Sequence, residues 1–539
     1  MKKHRILRTT LILIFLNGSS SLMRAQTANT GALSGRITDP SGAVVPTVEV
    51  KLTNQSTGEQ RTVTTGPEGL YKAPLLPPGN YQVTITATGF KTATYPAVVV
   101  RVTETNEFNV VLEVGTATEQ VTVEAAASLV TTEKAALGRV VDNASIVSLP
   151  LVTRNFQHIM TLSPGVLANV PDATALGRNP IDVFAHGARA TDNSFQMDGI
   201  QVNNFHTNRP SGVPVPAPDA IEEFKVQTGQ FDAGYGRQPG ANVSIVTKSG
   251  GTQFHGSLFE FFRNEDLNAT PFFVNLVGGK KPVLRQNQFG GTLGGPLIKN
   301  KLHFFVSYQG TRQINGLSST SLRSLVFPKG FGPDRSRAAL GAAFCGQAGF
   351  FGGTTVACDG SNINPVALAI LNAKLPDGSL LVPNPQVVQP AGTGFSTYSI
   401  PATFNENQLV TNLDFLQSSK SKLTGKFFYA NSPTFESLTA PVPGWARQTT
   451  DLYANFALTH IYTITPHLIN EARLGVDRQN NAPTGLSPIS ATSVGIPLAN
   501  SDWPQFPNIS VSGTFSIGPA TTSYTKQMTY NAGDSLSWV

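Results

Sequence analysis

The sequence of 539 residues has few charges, and only 13% of its residues are Asp, Glu, Lys or Arg. A typical soluble protein has about 25%, so the composition excludes coiled coils and charged disordered tails. Beyond residue 25 the sequence lacks any run of 18 apolar residues, which excludes membrane-spanning helices. If the chain enters a membrane, it must do so with β-strands.

The sequence also lacks the common catalytic motifs. It contains no Gly-x-Ser-x-Gly elbow, no His-Glu-x-x-His motif and no phosphate loop ending in Gly-Lys-Ser/Thr. The glycines of 234–240 miss the dinucleotide-binding spacing by one residue and instead predict a turn. Glu222 and Glu223 are adjacent, so on a strand they would point to opposite faces and could not act as a catalytic pair. We expect no enzyme activity, no catalytic residue, no metal site and no cofactor.

The positive charge of the chain is concentrated at its start. Residues 1–25 contain five basic residues and no acidic one, with a short apolar run at 11–16 and small residues before Gln26. This pattern predicts a secretory signal peptide over 1–25 and a mature chain that begins near Gln26. A membrane anchor is the alternative, but it needs about 20 apolar residues. Since the net charge of +6 belongs mostly to this leader, we expect no nucleic-acid partner.

The composition is rich in turn and strand formers, with 50 Gly, 37 Pro and 32 Phe. Between Gly31 and Val114, apolar and polar residues alternate, as in 48–52 and 81–85, and Gly/Pro turns separate the runs. Such spacing is typical of a β-sandwich, so we predict one over 26–114.

Several short sequence motifs in this region resemble those of a known family. They are GRITDPSGAVVP (35–46), GLY (69–71), LPPGNY (76–81) and GF (89–90). Together they resemble the carboxypeptidase regulatory-like domain, which has a carbohydrate-binding-like fold. The resemblance does not imply a peptidase, because His467 and Glu471, the nearest pair of zinc-ligand types, lie far along the chain. It implies a structural or docking module, with sugar binding as the alternative.

Residues 115–250 lose the clean alternation, and 132–148 and 154–162 have helical length. The informative motifs, in chain order, are LPL (149–151), RNF (154–156), LSPGV (162–166), HGAR (186–189), NSFQMDG (193–199), AIEEFKV (220–226), YGR (235–237), VTKSGG (246–251) and FHGS (254–257). In this order they resemble the plug domain of TonB-dependent outer-membrane receptors of the Oar-like group, which carry the regulatory-like domain at their N-terminus.

Residues 251–539 predict a transmembrane barrel without help from the family. Eight candidate strands are recognisable, at 254–263, 285–294, 301–312, 407–416, 422–430, 451–463, 468–478 and 525–538. Long and short connections strictly alternate between them, which an up-and-down barrel requires. In 301–312 the apolar residues face one way and the polar ones the other, except for Phe305. The predicted fold class is therefore mainly β: an N-terminal β-sandwich, an α+β plug domain, and a partial antiparallel transmembrane β-barrel.

Two features are candidate sites. Residues Gln120, Val121, Thr122, Val123, Glu124 and Ala125 lie between sandwich and plug, where the resemblance implies the segment that contacts TonB by adding a strand to its sheet. Equally, Val121 and Val123 could belong to the last strand of the sandwich.

Cys345 and Cys358, the only cysteines, lie in the connection 313–406, which we expect to be external. Because an exported chain passes an oxidising compartment, they are candidates for a disulfide; two free thiols are the alternative. Asp198 could suggest a cation ligand, but an Asp-Gly pair more often makes a turn.

The resemblance implies energy-coupled import of a bulky nutrient across the cell outer membrane, with the sandwich in the periplasm. Its partners would be a periplasmic TonB-type energy-coupling protein, outer-membrane lipids, and an extracellular ligand that could be a carbohydrate, a peptide or a metal chelate. The alternative is a surface adhesion or carbohydrate-binding protein that the barrel only anchors.

Eight strands enclose a lumen that their own side chains fill, whereas plugged barrels have about 22 strands. In addition, 534–539 ends within a strand pattern and lacks a terminal aromatic residue. We therefore expect an incomplete receptor that cannot transport alone, with a natural short variant as the alternative.

Overall fold

The structure is a computed structural model. It describes residues 29–116, 120–122, 137–168, 174–178, 181–209, 213–231, 238–270, 272, 280–348, 354–497 and 505–538. The described part consists mainly of β-strands, and none of its helices is both long and apolar enough to cross a membrane. The predicted signal peptide lies outside the described residues.

The N-terminal unit is a sandwich of two β-sheets. Its strands are β1 (Gly31–Thr38), β2 (Glu49–Asn54), β3 (Gln60–Thr64), β4 (Leu70–Leu76), β5 (Gly79–Thr86), β6 (Thr92–Val100), β7 (Thr105–Glu107), β8 (Val110–Val111) and β9 (Gln120–Thr122). One sheet has the order β4-β1-β7, with β8 also paired to β1, and the other has the order β3-β2-β5-β6-β9.

The alternating residues of the sandwich form its core. Val50, Leu52, Val83 and Ile85 are fully buried between the two sheets, as the period of two predicts. Gly35 is required by close packing, because a Cβ there would lie 1.9 Å from the carbonyl oxygen of Phe108. The sheet alternation thus explains why this stretch folds as an independent core.

The second unit, the plug, is built on a mixed sheet. Its strands are β10 (Leu137–Asp142), β11 (Val166–Ala168), β12 (Val183–Ala185), β13 (Ser194–Met197), β14 (Ile200–Gln201), β15 (Ile221–Gly229) and β16 (Asn242–Thr247). Five of them form a sheet in the order β10-β15-β16-β13-β14, and β11 pairs with β12. Its helices are short: Asn143–Ser148, Gln157–Met160 and the 3-10 turns Ala190–Asp192 and Pro218–Ala220.

The helix expected over 132–148 is wrong for its described part. β10 occupies Leu137–Asp142 and pairs antiparallel with β15, which satisfies its backbone groups. Only Asn143–Ser148 is helical, capped by the Asp142 carboxylate, which accepts from the Ser145 N–H at 2.8 Å. The adjacent β-branched residues Val140 and Val141 favour the strand.

The third unit is a curved antiparallel sheet with loop elements. Its strands are β17 (His255–Asn264), β18 (Leu284–Ile298), β19 (Leu302–Asn315), β20 (Leu322–Phe327), β21 (Val387–Val388), β22 (Gly394–Ser399), β23 (Ala402–Ser418), β24 (Ser421–Asn431), β25 (Thr434–Glu436), β26 (Ala446–Thr465), β27 (Leu468–Leu486), β28 (Ile509–Ser510), β29 (Ser516–Ile517) and β30 (Thr525–Trp538). Its helices are Arg337–Ala343 and Pro365–Asn372, with the 3-10 turns Glu265–Leu267 and Thr492–Val494.

Among the described residues, eight long strands pair in the order β17-β18-β19-β23-β24-β26-β27-β30, each with its sequence neighbour along the wall. All of these pairs are antiparallel, and β17 and β30 are not paired with each other. The connections alternate in length, so the sheet has a short-connection end and a long-connection end. The short connections are 299–301, 419–420 and 466–467, and the long ones are 265–283, 316–401, 432–445 and 487–524.

The long connections pack on one another. Leu325, Phe327, Trp445, Phe506 and Phe515 come from three of these connections and form one buried cluster. The long-connection end of the wall therefore carries an ordered cap with its own apolar core.

Candidate functional site

The plug packs directly against the inner face of the barrel wall. Phe305, Val410, Phe428 and Tyr453 point inward from four neighbouring strands and belong to the same buried cluster as the plug core. Phe305, the exception to the alternation, is apolar because it faces this core rather than water. Plug and wall thus share one hydrophobic core.

One ion pair fastens the plug sheet to the wall. Asp198, at the turn between β13 and β14, has φ +52° and is only 4% exposed. Its carboxylate accepts from the Thr247 N–H at 3.0 Å and from the Thr247 hydroxyl at 2.8 Å. Lys426, on β24, donates to the same carboxylate at 2.8 Å. Asp198 makes the turn that the sequence predicts and also bridges plug and wall.

A second contact lies nearer the long-connection end. The Arg178 guanidinium is buried among plug carbonyls, including that of Pro216 at 3.1 Å, and lies 3.9 Å from the Glu406 carboxylate on β23. Burial lowers the pKa of Arg178 to about 10, although Glu406 counteracts this effect. The side chain still carries its charge at neutral pH and pairs across the interface.

The RNF motif (154–156) lies at the same interface between plug and wall. Arg154 pairs with Asp219, and its guanidinium lies 4.0 Å from the ring centre of Phe261 on β17. Phe156 is fully buried in the plug core. The motif therefore holds the start of the plug against the first barrel strand.

A cavity of about 830 Å³ opens between the plug and the long-connection end of the wall. Amide and hydroxyl groups dominate its lining, among them Asn204, Gln408, Gln479, Asn480 and Asn481. Charged side chains also line it, and several are paired within the chain: Arg209 with Asp182, Arg447 with Glu436, and Arg178 with Glu406. Its volume lies within the usual range of ligand-binding cavities, and it is open at one side, so it can receive part of a larger ligand.

The sandwich docks at the short-connection end, where it contacts both other units. Glu59 accepts from Lys422 of β24 at 2.9 Å, and the Ser56 carbonyl accepts from the Thr252 N–H at 2.7 Å. Leu75 packs with Ile461 and Ile469 in a small apolar cluster. The sandwich is thus fastened to the turns of the barrel wall.

Two charged groups of β15 hold the sandwich to the plug. Lys225 donates to the Glu104 carboxylate at 3.1 Å, and the Val102 N–H donates to Glu223. Burial raises the pKa of Glu223 to about 8, and the hydrogen bond from Val102 only partly offsets this effect. The contact is therefore sensitive to pH in the neutral range.

The TonB-contact candidate begins on a sheet edge. Gln120, Val121 and Thr122 form β9, which pairs in parallel with Thr92–Thr94 of β6. Val123, Glu124 and Ala125 lie outside the described residues. Both alternatives remain compatible with this placement, because an edge strand of the sandwich still has one open side.

Cys345 and Cys358 are bonded to each other in the structure, with their Cα atoms 4.4 Å apart, inside the range for a disulfide. They lie in the connection 316–401, and oxidation in the exported protein stays a prediction. Within the described ranges, no cluster of three metal-ligating side chains occurs.

The sequence did not indicate the partners of Asp198, Arg178 or Glu223. The only available signal was the inward-facing position of Lys422 and Lys426 on a strand whose other face is apolar. A lysine facing a packed lumen requires a carboxylate partner. The identity of this carboxylate is set by the tertiary structure, because the partner is distant in the sequence.

The chain belongs to the family of the outer membrane beta barrel domain, whose model matches residues 246–539. The model of the carboxypeptidase regulatory-like domain matches residues 32–113. The chain is an outer-membrane protein of mainly β structure, and the predicted fold class is confirmed.

Among curated proteins, the chain is similar to the TonB-dependent transporter Oar of Myxococcus xanthus. The two are 27% identical over 342 residues, which cover 59% of this chain and 30% of that protein. The chain thus spans less than a third of that relative's length. Because the relative is named a transporter, the comparison agrees with the expectation that the chain is not an enzyme.

Solved structures of outer-membrane proteins are also similar to this chain. The outer membrane transporter YddB from Escherichia coli has 11% identity and a TM-score of 0.46, covering 75% of this chain and 45% of that one. The siderophore receptor PirA from Acinetobacter baumannii has 14% identity and a TM-score of 0.39, covering 64% and 40%.

Proposed function

We propose that this chain acts in TonB-dependent uptake of a bulky ligand across the outer membrane, with units at 26–114, 115–250 and 251–539. The observation that carries the proposal is the plug core shared with the inward residues of four barrel strands. A plug held in this way stays against the inner face of the wall until force releases it. The similarity to a protein named a TonB-dependent transporter supports the same function.

In this proposal the short-connection end faces the periplasm, as in outer-membrane barrels generally. The cavity at the opposite end would then receive ligand from outside. The sandwich docks beside the short turns, on the side where an adhesion domain could not reach another surface. This arrangement favours uptake over the alternative of surface adhesion.

β9 supplies the surface for a TonB-type partner. Among the described strands it is the last in the order β3-β2-β5-β6-β9, so one of its edges has no partner strand there. Strand addition uses main-chain hydrogen bonds and tolerates varied side chains. Residues 120–122 therefore have the extended geometry that such a contact requires.

The order of the plug strands suits release by pulling. The first plug strand along the chain, β10, is also the edge strand of the plug sheet and pairs only with β15 among the described strands. A force applied through 120–125 would reach β10 first. Peeling one edge strand breaks its hydrogen bonds in succession, which needs less force than shearing a central strand.

The proposal is tested by binding of the full chain to the periplasmic domain of a TonB-type protein from the same cells. Consecutive N–H groups of a strand point to opposite edges, so Val121→Pro and Thr122→Pro should differ. The proline variant that removes an N–H group on the open edge of β9 should abolish binding of the TonB-type domain. The variant that removes an N–H group facing β6 should instead weaken the pairing of β9 with β6. Val121→Ala and Thr122→Ala keep the N–H groups and serve as controls with unchanged binding.

Loss of binding in an alanine variant would contradict main-chain recognition. Full binding in both proline variants would overturn the assignment of 120–125 as the contact segment. If the chain without substitutions did not bind the TonB-type domain, the proposed function itself would fail.

A further inference from the structure

A second cavity, of about 440 Å³, lies at the short-connection end between sandwich and wall. Its walls come from the turn between β2 and β3 and from the barrel turns 299–301 and 419–420. It is far from the ligand cavity at the other end, and the proposed function assigns it no role. Its basic residues are Arg61, Lys299, Lys301, Lys420 and Lys422, and its acidic residue is Glu59.

The lysines of this cavity differ in how they are neutralised. Lys422 lies 2.9 Å from Glu59 and 3.6 Å from Asp414, so its charge is balanced within the protein. Lys299, Lys301 and Lys420 are exposed on the two turns, and in the described part of the chain no carboxylate pairs with them. The cavity therefore has an uncompensated positive charge.

Arg61 supplies the observation that separates this cavity from a patch of surface lysines. It lies on β3, is only 7% exposed and lines the cavity. Its Nη1 is buried and has no hydrogen-bond partner among the described residues. A buried guanidinium donor without an acceptor is costly, and an anion in the cavity would relieve that cost. Phosphate fits the planar donors of arginine and the point charges of lysine.

The surroundings indicate where such an anion comes from. Leu297 and Ile298, at the end of β18, directly precede Lys299 and are 58% and 52% exposed. Tyr462 and Ile464 are also exposed and flank Thr463, which lines the cavity. Apolar side chains that face outward on a barrel contact acyl chains. The basic cavity therefore adjoins the lipid-facing surface, at the height of the head groups.

We propose that this cavity is a phosphate-binding site for the head group of an anionic phospholipid, held by Arg61, Lys301 and Lys420, with its acyl chains along Leu297 and Ile298. The bound lipid would join sandwich and barrel, because Arg61 belongs to the first and both lysines to the second. This site is independent of ligand uptake.

The test uses the full chain, folded in an uncharged detergent, and three probes: short-chain phosphatidylglycerol, short-chain phosphatidylcholine and inorganic phosphate. Binding is measured by calorimetry. The key variant is Lys301→Gln/Lys420→Gln, which changes only exposed side chains. The matched control is Lys329→Gln/Lys374→Gln, two exposed lysines of the connection 316–401. Arg61→Gln is measured as well, with circular dichroism to check folding.

The proposal expects saturable binding of phosphatidylglycerol and much weaker binding of phosphatidylcholine. Each lysine removed should weaken the binding of phosphatidylglycerol about fivefold, so the double variant should bind roughly 25-fold more weakly. The control variant should bind normally. Inorganic phosphate should compete weakly.

Three results would overturn the proposal. Tight binding of inorganic phosphate without binding of phosphatidylglycerol would identify free phosphate as the ligand. Equal losses in the key and control variants would show non-specific attraction. Equal binding of both lipids would show that the phosphate charge is not recognised.

Discussion

Asp198 illustrates how a turn residue acquires a second role in the folded chain. Its carboxylate holds the backbone of Thr247 and accepts a hydrogen bond from Lys426, a residue 228 positions away. Both side chains are removed from water, so each depends on the other for compensation. A residue of this kind can couple the plug to the wall without any direct contact with a ligand.

Removal of only the carboxylate should therefore cost more than removal of the pair. Asp198→Ala leaves the buried Lys426 ammonium with the carbonyl and hydroxyl of Thr247 but without its carboxylate partner. We expect it to lower the free energy of unfolding by about 3–5 kcal/mol. In Asp198→Asn/Lys426→Met, the charge is absent and the asparagine can still accept from Thr247, so most of the stability should return. Urea unfolding in detergent measures both variants. A double variant no more stable than Asp198→Ala would contradict the pairing.

Glu223 should make the stability of the chain depend on pH. Its pKa is raised by burial to about 8 in the folded chain, against about 4.3 in an unfolded one. The folded state therefore binds an extra proton between these values, and this contribution to stability is lost as the pH rises through about 8. The slope is at most about 1.4 kcal/mol per pH unit.

Unfolding of the chain between pH 5 and pH 8 measures this effect. Glu223→Gln, which keeps an acceptor for the Val102 N–H, should remove this slope. Glu222→Gln should change it much less, because burial is the main cause of the raised pKa of Glu223 and the charge of Glu222 contributes less. Identical slopes for the unsubstituted chain and Glu223→Gln would show that Glu223 does not hold the proton.

The barrel strands could be located from the sequence because each alternates between two environments. On β19, for example, Leu302 and Tyr308 face outward, and His303 and Gln309 are buried inward. The plug was harder to predict, because β10 and the strands around it are short and several are buried on both faces. The helix expected over 132–148 is wrong because β10 is a short and mostly exposed edge strand without a regular alternation. Local propensity could not show that β15 pairs with Leu137–Asp142.

The membrane contact of an outward-facing residue can be tested by replacing that residue with a charged one. Leu474 lies inside β27 and is 57% exposed, whereas Leu486 is at the end of the same strand beside a long connection. In a bilayer, Leu474→Arg should lower the free energy of unfolding by about 2–4 kcal/mol, and Leu486→Arg by about 0–1 kcal/mol. Folding into vesicles, measured by urea titration, gives both values. Equal costs at the two positions would contradict the membrane placement of β27.

On the scale of the whole molecule, three units meet at the short-connection end of the wall. Their contacts combine ion pairs, such as Glu59 with Lys422, with the apolar cluster of Leu75, Ile461 and Ile469. The sequence predicts the three units through their periodicity and motifs. It could not predict this junction, because the sandwich residues are hundreds of positions away from the wall residues that they contact. In the proposed function, this junction would transmit a pull on the segment 120–125 to both the plug and the wall.

In the proposed orientation, the sandwich and its junction lie inside the cell envelope while the long connections lie outside. The most direct test is labelling of intact cells with a maleimide that does not cross membranes, applied to Ser41→Cys in the sandwich and Lys374→Cys in the connection 316–401. The unsubstituted chain gives the background. The account predicts that Lys374→Cys is labelled in intact cells and that Ser41→Cys is labelled only after the outer membrane is permeabilised. Labelling of Ser41→Cys in intact cells to the same extent as Lys374→Cys would contradict it.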